Sequence, residues 1–399
     1  MMKEINRYIL AVTSACRTVM VVLVWVVLSC GGYFITSQRA VKADSTASQT
    51  STRTFLYASN LQTNNISIFQ VNEDGSLTLL GSPVPSGGRS NDRIVVTDDS
   101  RFLYVSLLGG GVSAFRINEN GTLMALADSP IGSDPINALV ISKNQQLLFG
   151  LSPFIRSLSG PGIVGYSVAA DGLPRGIGSA VRALPGFSLS LAVSPDDRQL
   201  GHAGIGPNNT AVLQRFAISD MGRLDPPEDS VDMGEAGPNL GLTTCLAASP
   251  AGFFYLPNRD ANTISVFDAA GRQMGLPVPN LSGAEGPNGV TVSRDGRFLF
   301  VTNQASSNVS VFRIEEDGRL TLGPGPFATG GNNATLFAAG QPTVSRDGQR
   351  LYVSNPTSAD VSVFRIGADG QLMLVSGSPF STGGGPDAFP LGLGEAVIP

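Results

Sequence analysis

The chain has 399 residues with a formal net charge of -5; 42% of residues are apolar and only 14% are charged. That balance excludes a disordered chain, and without any Lys/Arg cluster in the body it excludes a nucleic-acid surface. Glycine (48) and proline (26) are abundant, as many short strands joined by tight turns require.

The first 43 residues differ from the rest. Lys3 and Arg7 precede an apolar run that begins at Val19, the pattern of an export signal. Three fates are open. Val41-Lys-Ala43 offers small residues for cleavage before Asp44, Val27-Leu-Ser-Cys30-Gly resembles a bacterial lipobox, and the run is also long enough for a short uncleaved anchor. Residues 44–53 form a Ser/Thr-rich linker. The membrane is a partner only through this segment, and the expected location is outside the cytoplasm.

From residue 54 onward one pattern recurs seven times. Anchored on Leu56, Leu103, Leu148, Leu200, Phe254, Leu299 and Leu351, it advances in steps of 45 to 54 residues. In the sixth copy, 289–293 reads as a strand, Arg294-Asp-Gly296 as a turn, 297–302 as a second strand and 309–314 as an alternating third. Glu316-Asp-Gly318 then turns into a fourth strand at Leu320. Four antiparallel strands per copy make one propeller blade. The third-to-fourth turn carries glycine in every copy, at Gly75, Gly121, Gly172, Gly222, Gly271, Gly318 and Gly370. Hairpin geometry explains these residues; phosphate binding does not, because no helix follows them.

The first copy has no innermost strand, whereas 391–398 is an unpaired inner-strand sequence at the other end of the chain. The expectation is an all-β, seven-bladed propeller over residues 54–399, closed by its C-terminal strand joining the N-terminal blade, so that two sheet edges vanish.

Few groups in the body can do chemistry. Cys245 and His202 are its lone cysteine and histidine, so neither a disulfide nor a His/Cys metal site is expected, and no cofactor is implied. His202 aligns with Val105, Leu256, Val301 and Val353, which makes it a buried strand residue and not a base. Polar groups gather in the segments entering the inner strands: Arg89 and Asp92, Asp134 and Asn137, Asn239, Glu285 and Asn288, and Asp387. Loops between second and third strands add Arg156, Arg259 and Asp260 at the same end. Arg259 and Glu285 come from adjacent blades and form the best catalytic pair, the carboxylate assisting water and the guanidinium stabilising an oxyanion. The other groups are candidate ligand-binding residues.

The strand ends Phe300-Val-Thr-Asn303 and Tyr352-Val-Ser-Asn355 resemble the YVTN propeller repeat. The turns Ser194-Pro-Asp-Asp-Arg198, Ser293-Arg-Asp-Gly-Arg297 and Ser345-Arg-Asp-Gly348 resemble those of lactonase-type seven-bladed propellers, which include 6-phosphogluconolactonases. The resemblance covers residues 54–399 and implies a funnel site where loops enter the inner strands. The family's histidines in such loops have no counterpart here. The favoured expectation is therefore binding of a small molecule, such as a sugar or lactone, or of a protein at the funnel end. Hydrolysis of a sugar lactone is the alternative, and a structural cell-surface module the third reading.

Overall fold

The computed structural model describes residues 52–183, 190–205, 211–227, 230–232, 245–333 and 341–399. The leader, most of the linker and Asn239 lie outside the described residues. The strands fall into seven antiparallel sheets, each starting at the central channel and running outward. Blade 1 consists of Pro390–Ile398 as inner strand, then Arg53–Asn60, Asn65–Val71 and Leu77–Leu79. Blades 2 to 7 follow in chain order, with inner strands Ser90–Val96, Ala138–Ile141, Ser190–Val193, Ala247–Ala248, Pro287–Val292 and Pro342–Val344. The sequence repeat and the blade are therefore offset by one strand.

That offset closes the ring as expected. Thr54 pairs with Val397, Leu56 with Glu395 and Ala58 with Leu393. The seam carries a polar clamp that the repeat did not announce. Glu395, buried in the closing strand, accepts hydrogen bonds from Tyr352 Oη (2.7 Å) and from the backbone N–H of Arg346 (2.5 Å). The Arg346 side chain donates to the Glu395 carbonyl (3.1 Å) and, from its guanidinium, to the carbonyls of Thr97 (2.6 Å) and Asp98. Blades 7, 1 and 2 are thus joined by one hydrogen-bonded network, in which burial raises the Glu395 carboxyl above its usual range.

The core lies between blades. One apolar cluster joins Phe55, Tyr57 and Ile66 of blade 1 to Leu103, Val105 and Phe115 of blade 2, and similar clusters fill the other blade interfaces. Alternation within each strand sends one set of side chains to each neighbouring blade, so both sheet faces are buried. This is why second strands such as Phe102–Leu107 and Phe298–Asn303 are buried at every position.

The hairpin glycines serve this interface as well as the turn. All seven have positive φ, from 71° to 89°. A Cβ on Gly121 would lie 2.3 Å from the Phe55 ring, and one on Gly318 would lie 2.4 Å from that of Phe253. The carbonyls of Gly121, Gly172 and Gly318 accept hydrogen bonds from Tyr57, Tyr104 and Tyr255 of the preceding blade, at 2.7 to 3.0 Å. These turns are sockets for the neighbouring blade's second strand, except at Gly271, which faces Arg215 of a third strand.

The asparagine closing the YVTN-like motif is also structural. Asn303 Nδ2 donates to Asn308 Oδ1 and Ser310 Oγ, both at 2.9 Å, tying the second strand to the third across their loop. Asn60, Asn258 and Asn355 repeat the arrangement with Ser67, Ser265 and Ser362. In the first-to-second-strand turn, Ser293 Oγ donates to Asp295 Oδ1 (2.6 Å) and accepts from the Phe298 N–H (2.9 Å). The motifs that mark the repeat are blade-building devices.

Candidate functional site

Every inner strand runs from a loop end, where the chain enters from the preceding blade, to a turn end, where a short hairpin leads to the second strand. Arg93, Cys245 and Gln341 stand at one level near the loop end, each four residues before the Thr or Ser that opens its turn. They come from blades 2, 5 and 7, so contacts among them cross the channel axis. Arg93 donates from its two terminal nitrogens to Gln341 Oε1 and to Cys245 Sγ (3.5 Å), and Gln341 Nε2 donates to the same sulfur (3.2 Å). This bridge narrows the channel.

On the turn side of the bridge lies a cavity of about 700 Å³. Arg93 and Gln341 form its inner end, inner strands of all seven blades line its walls, and Asp98, Lys143 and Arg294 stand exposed at its mouth. Val95, Val140, Ala192 and Ala247 are among the aliphatic wall residues, and Thr291, Thr343 and the serines that open the turns, such as Ser142 and Ser293, contribute hydroxyls. Thus an end that carries a guanidinium and an amide faces a wall of mixed aliphatic and polar side chains that opens to water. The cavity is at the opposite end of the ring from the loops in which the sequence placed its candidate residues.

At the loop end those candidates are brought only partly together. The backbone N–H of Arg156 reaches Asp134 Oδ1 at 3.5 Å, which places the two kinds of loop at the same end. Arg89 is exposed, and its carbonyl accepts from the Leu108 N–H (2.7 Å). Asp92 and Asn288 lie inside inner strands, not before them. Asn288 is buried and donates to Gln304 Oε1 (3.0 Å); Asn137 is buried immediately before its strand, and Asp387 is exposed.

Glu285 is exposed; its backbone N–H donates to Ser306 Oγ (2.9 Å) and its carbonyl accepts from Ala305. The Arg259 guanidinium lies 3.9 Å from Asp260, its neighbour in sequence, and among the described residues no ion pair joins Arg259 to Glu285. The adjacent-blade argument put both on one end of the ring but could not set their side-chain directions.

His202 is fully buried in the second strand of blade 4, at the register of Val105 and Val301, as the alignment indicated. Its Nδ1 lies 3.1 Å from Gln214 Oε1, and its Nε2 has no hydrogen-bond partner. Burial pushes its pKa down to about 4, so at neutral pH it is an uncharged imidazole without access to substrate. Among the described residues, no three His, Cys, Asp or Glu side chains gather as a metal site would require, and no helix is long and apolar enough to cross a membrane.

The family model for the seven-bladed β-propeller lactonases matches residues 243–337. The chain has the fold of a seven-bladed β-propeller and resembles the lactonases over those residues. The periplasmic gluconolactonase of Pseudomonas aeruginosa superposes with a TM-score of 0.68 at 18% identity, covering 88% of this chain and 100% of its own. A putative 6-phosphogluconolactonase from Bacteroides uniformis gives 0.68 at 17% identity, with 86% and 99% covered. One from Bacteroides fragilis gives 0.66 at 18%, with 88% and 99% covered. At such identities the likeness is one of fold. Arg93, Cys245 and Gln341 are the channel residues that sequence reasoning passed over. The available signal was a charged residue and an amide at inner-strand positions where Ala138, Ser190 and Gly289 stand in other blades.

Proposed function

We propose that this protein is an exported binding module whose small-molecule ligand enters the central channel. The observation that carries this reading is the cavity of about 700 Å³ ending on Arg93 and Gln341. Its volume is that of a small-molecule site, and polar groups stand at both its inner end and its mouth, with aliphatic side chains between them. The basic, then apolar leader supports a location outside the cytoplasm. Isothermal titration against sugars, sugar lactones and organic acids tests the reading, with Thr291→Phe as a variant that fills the cavity from its wall. Binding lost in that variant supports a channel site, and binding unchanged by it refutes one.

A second reading, hydrolysis of a sugar lactone, is favoured by the family-model match and by the gluconolactonase-like neighbours. In that reaction Glu285 assists water and Arg259 stabilises the oxyanion, after the loops bring them closer than their described positions. A turnover screen against sugar lactones decides it. Activity lost in Glu285→Gln and kept in Asp171→Asn, a change at an exposed hairpin, establishes the enzyme; no turnover with any lactone removes it.

A further inference from the structure

Two Asn–Gly steps occur in the chain, Asn120-Gly121 and Asn288-Gly289, and the fold treats them in opposite ways. We infer that Asn120 is a site of spontaneous modification, at which its side-chain amide is lost to attack by the Gly121 backbone nitrogen, and that the product acts on the contact between blades 1 and 2. The step needs only water and hydroxide. The Gly121 nitrogen gives up its proton to solvent base and bonds to Asn120 Cγ; the Cγ–Nδ2 bond breaks and the amide nitrogen leaves as ammonia. Water then opens the resulting five-membered imide at either carbonyl, which leaves an aspartate or an isoaspartate at this position. Glycine favours the attack because no Cβ stands beside the nucleophilic nitrogen.

The hairpin of blade 2 presents the reacting groups. Asn120 and its neighbours Glu119 and Thr122 are exposed at the tip between the strands Val112–Ile117 and Leu123–Ala125. Asn120 Oδ1 accepts from the Thr122 N–H (3.1 Å) and Oγ1 (2.7 Å), two donors on the oxygen that turns negative as Cγ is attacked. Among the described residues no hydrogen bond holds its Nδ2, the leaving group. The Gly121 N–H donates to the Asn118 carbonyl (2.8 Å), a bond that closes a turn at the surface, where local opening is frequent. Asn288 is the reverse case. It is buried in the inner strand Pro287–Val292, its Nδ2 donates to Gln304 Oε1 (3.0 Å), and the Gly289 N–H donates to Thr302 Oγ1 (3.2 Å). Reaction there requires the blade 6 sheet to open.

Four blades already carry the aspartate product. Asp74, Asp171, Asp317 and Asp369 occupy the same turn position and accept the N–H two residues on, at 2.9 to 3.1 Å, as Asn120 does. Aspartate therefore fits this hairpin. Isoaspartate does not, because it adds a methylene to the main chain immediately before Gly121. Gly121 lies against the Phe55 ring, and its carbonyl accepts from Tyr57 Oη (2.9 Å). Both aromatics belong to Arg53–Asn60, the strand on which the C-terminal strand closes the ring. A change in the blade 2 hairpin thus reaches the closing blade.

The test ages the full-length protein in mildly alkaline buffer, native and in urea, and follows both Asn–Gly peptides by peptide mapping with mass spectrometry. In the native protein Asn120 is expected to convert at least about tenfold faster than Asn288, because the surface turn opens more often than the sheet. In urea, where only the local sequence acts, the two should convert at similar rates. An Asn120 that stays an amide in the native protein, or an Asn288 that converts as fast, overturns the inference. Asn120→Asp should melt with fresh wild type, whereas the isoaspartate fraction, separated by chromatography, should melt at a lower temperature. An isoaspartate form that melts with fresh protein overturns the effect on the contact between blades 1 and 2.

Discussion

His202 offers the sharpest test of how this propeller holds together, because one substitution should change its pH dependence by a calculable amount. The imidazole is fully buried against Gln214, and burial lowers its pKa from 6.5 to about 4. The folded protein therefore binds the His202 proton less readily than the unfolded chain does. Stability from this group is fully present above pH 6.5, is lost progressively as pH falls from there toward 4, and changes no further below. With one pKa unit equal to about 1.36 kcal/mol, the full loss is about 3 kcal/mol, of which about 2 kcal/mol is reached between pH 7 and pH 5. Carboxylates elsewhere titrate too, so the informative quantity is a difference of differences. Urea unfolding of wild type and His202→Val, each at pH 7 and pH 5, should show wild type losing about 2 kcal/mol more on acidification. Valine is the residue that blades 2, 6 and 7 carry at this register, so the variant should fold. Its stability at pH 7 is expected to fall by about 1–3 kcal/mol through the lost His202–Gln214 hydrogen bond and the lost volume. Parallel pH profiles in the two proteins would refute the reasoning: His202 would then be hydrated or charged in the native state, and its dismissal as a base would fall with it.

Deleting residues 388–399 removes the inner strand of blade 1 together with the Glu395 clamp; calorimetry should show the cooperative melt lost, and light scattering should show aggregation from the uncovered edge. Gly318→Ala places a methyl group 2.4 Å from the Phe253 ring at φ of +84°, so chemical unfolding should register a loss of about 2–4 kcal/mol. Tyr255→Phe leaves the Gly318 carbonyl without this donor, and a loss of about 1–2 kcal/mol is expected by the same measurement. Asn303→Ala removes the buried tie to Asn308 and Ser310 and should cost about 1–3 kcal/mol, with faster amide exchange in the 303–308 loop.

The legible part of this protein was the part that repeats. Seven copies of a strand pattern, each with a hairpin glycine, announced the blades, and the orphan segment 391–398 announced the closure, because a missing inner strand at one terminus needs a spare one at the other. The burial of His202 was legible for the same reason: its register is that of Val105 and Val301, and register decides which face a strand residue serves. Repetition is a statement about backbone and core, and both are local or periodic.

What did not repeat could not be read. Arg93, Cys245 and Gln341 are far apart in sequence, and nothing local indicates that blades 2, 5 and 7 would bring them together on one axis. Glu285 and Arg259 show the converse: neighbouring loops placed them at one end, but side-chain direction left Arg259 beside Asp260. Glu395 stood out only as a carboxylate in an apolar strand, and its role as a clamp depended on Arg346 and Tyr352 meeting it at the seam. The sequence by itself determined the number of blades, the strand registers and the way the ring closes, since these follow from periodicity and the demand that no sheet edge or buried polar group go unpaired. Tertiary structure alone decided where the channel narrows, which end holds the cavity and which charges face it, because those contacts cross the ring between residues that no pattern along the chain connects.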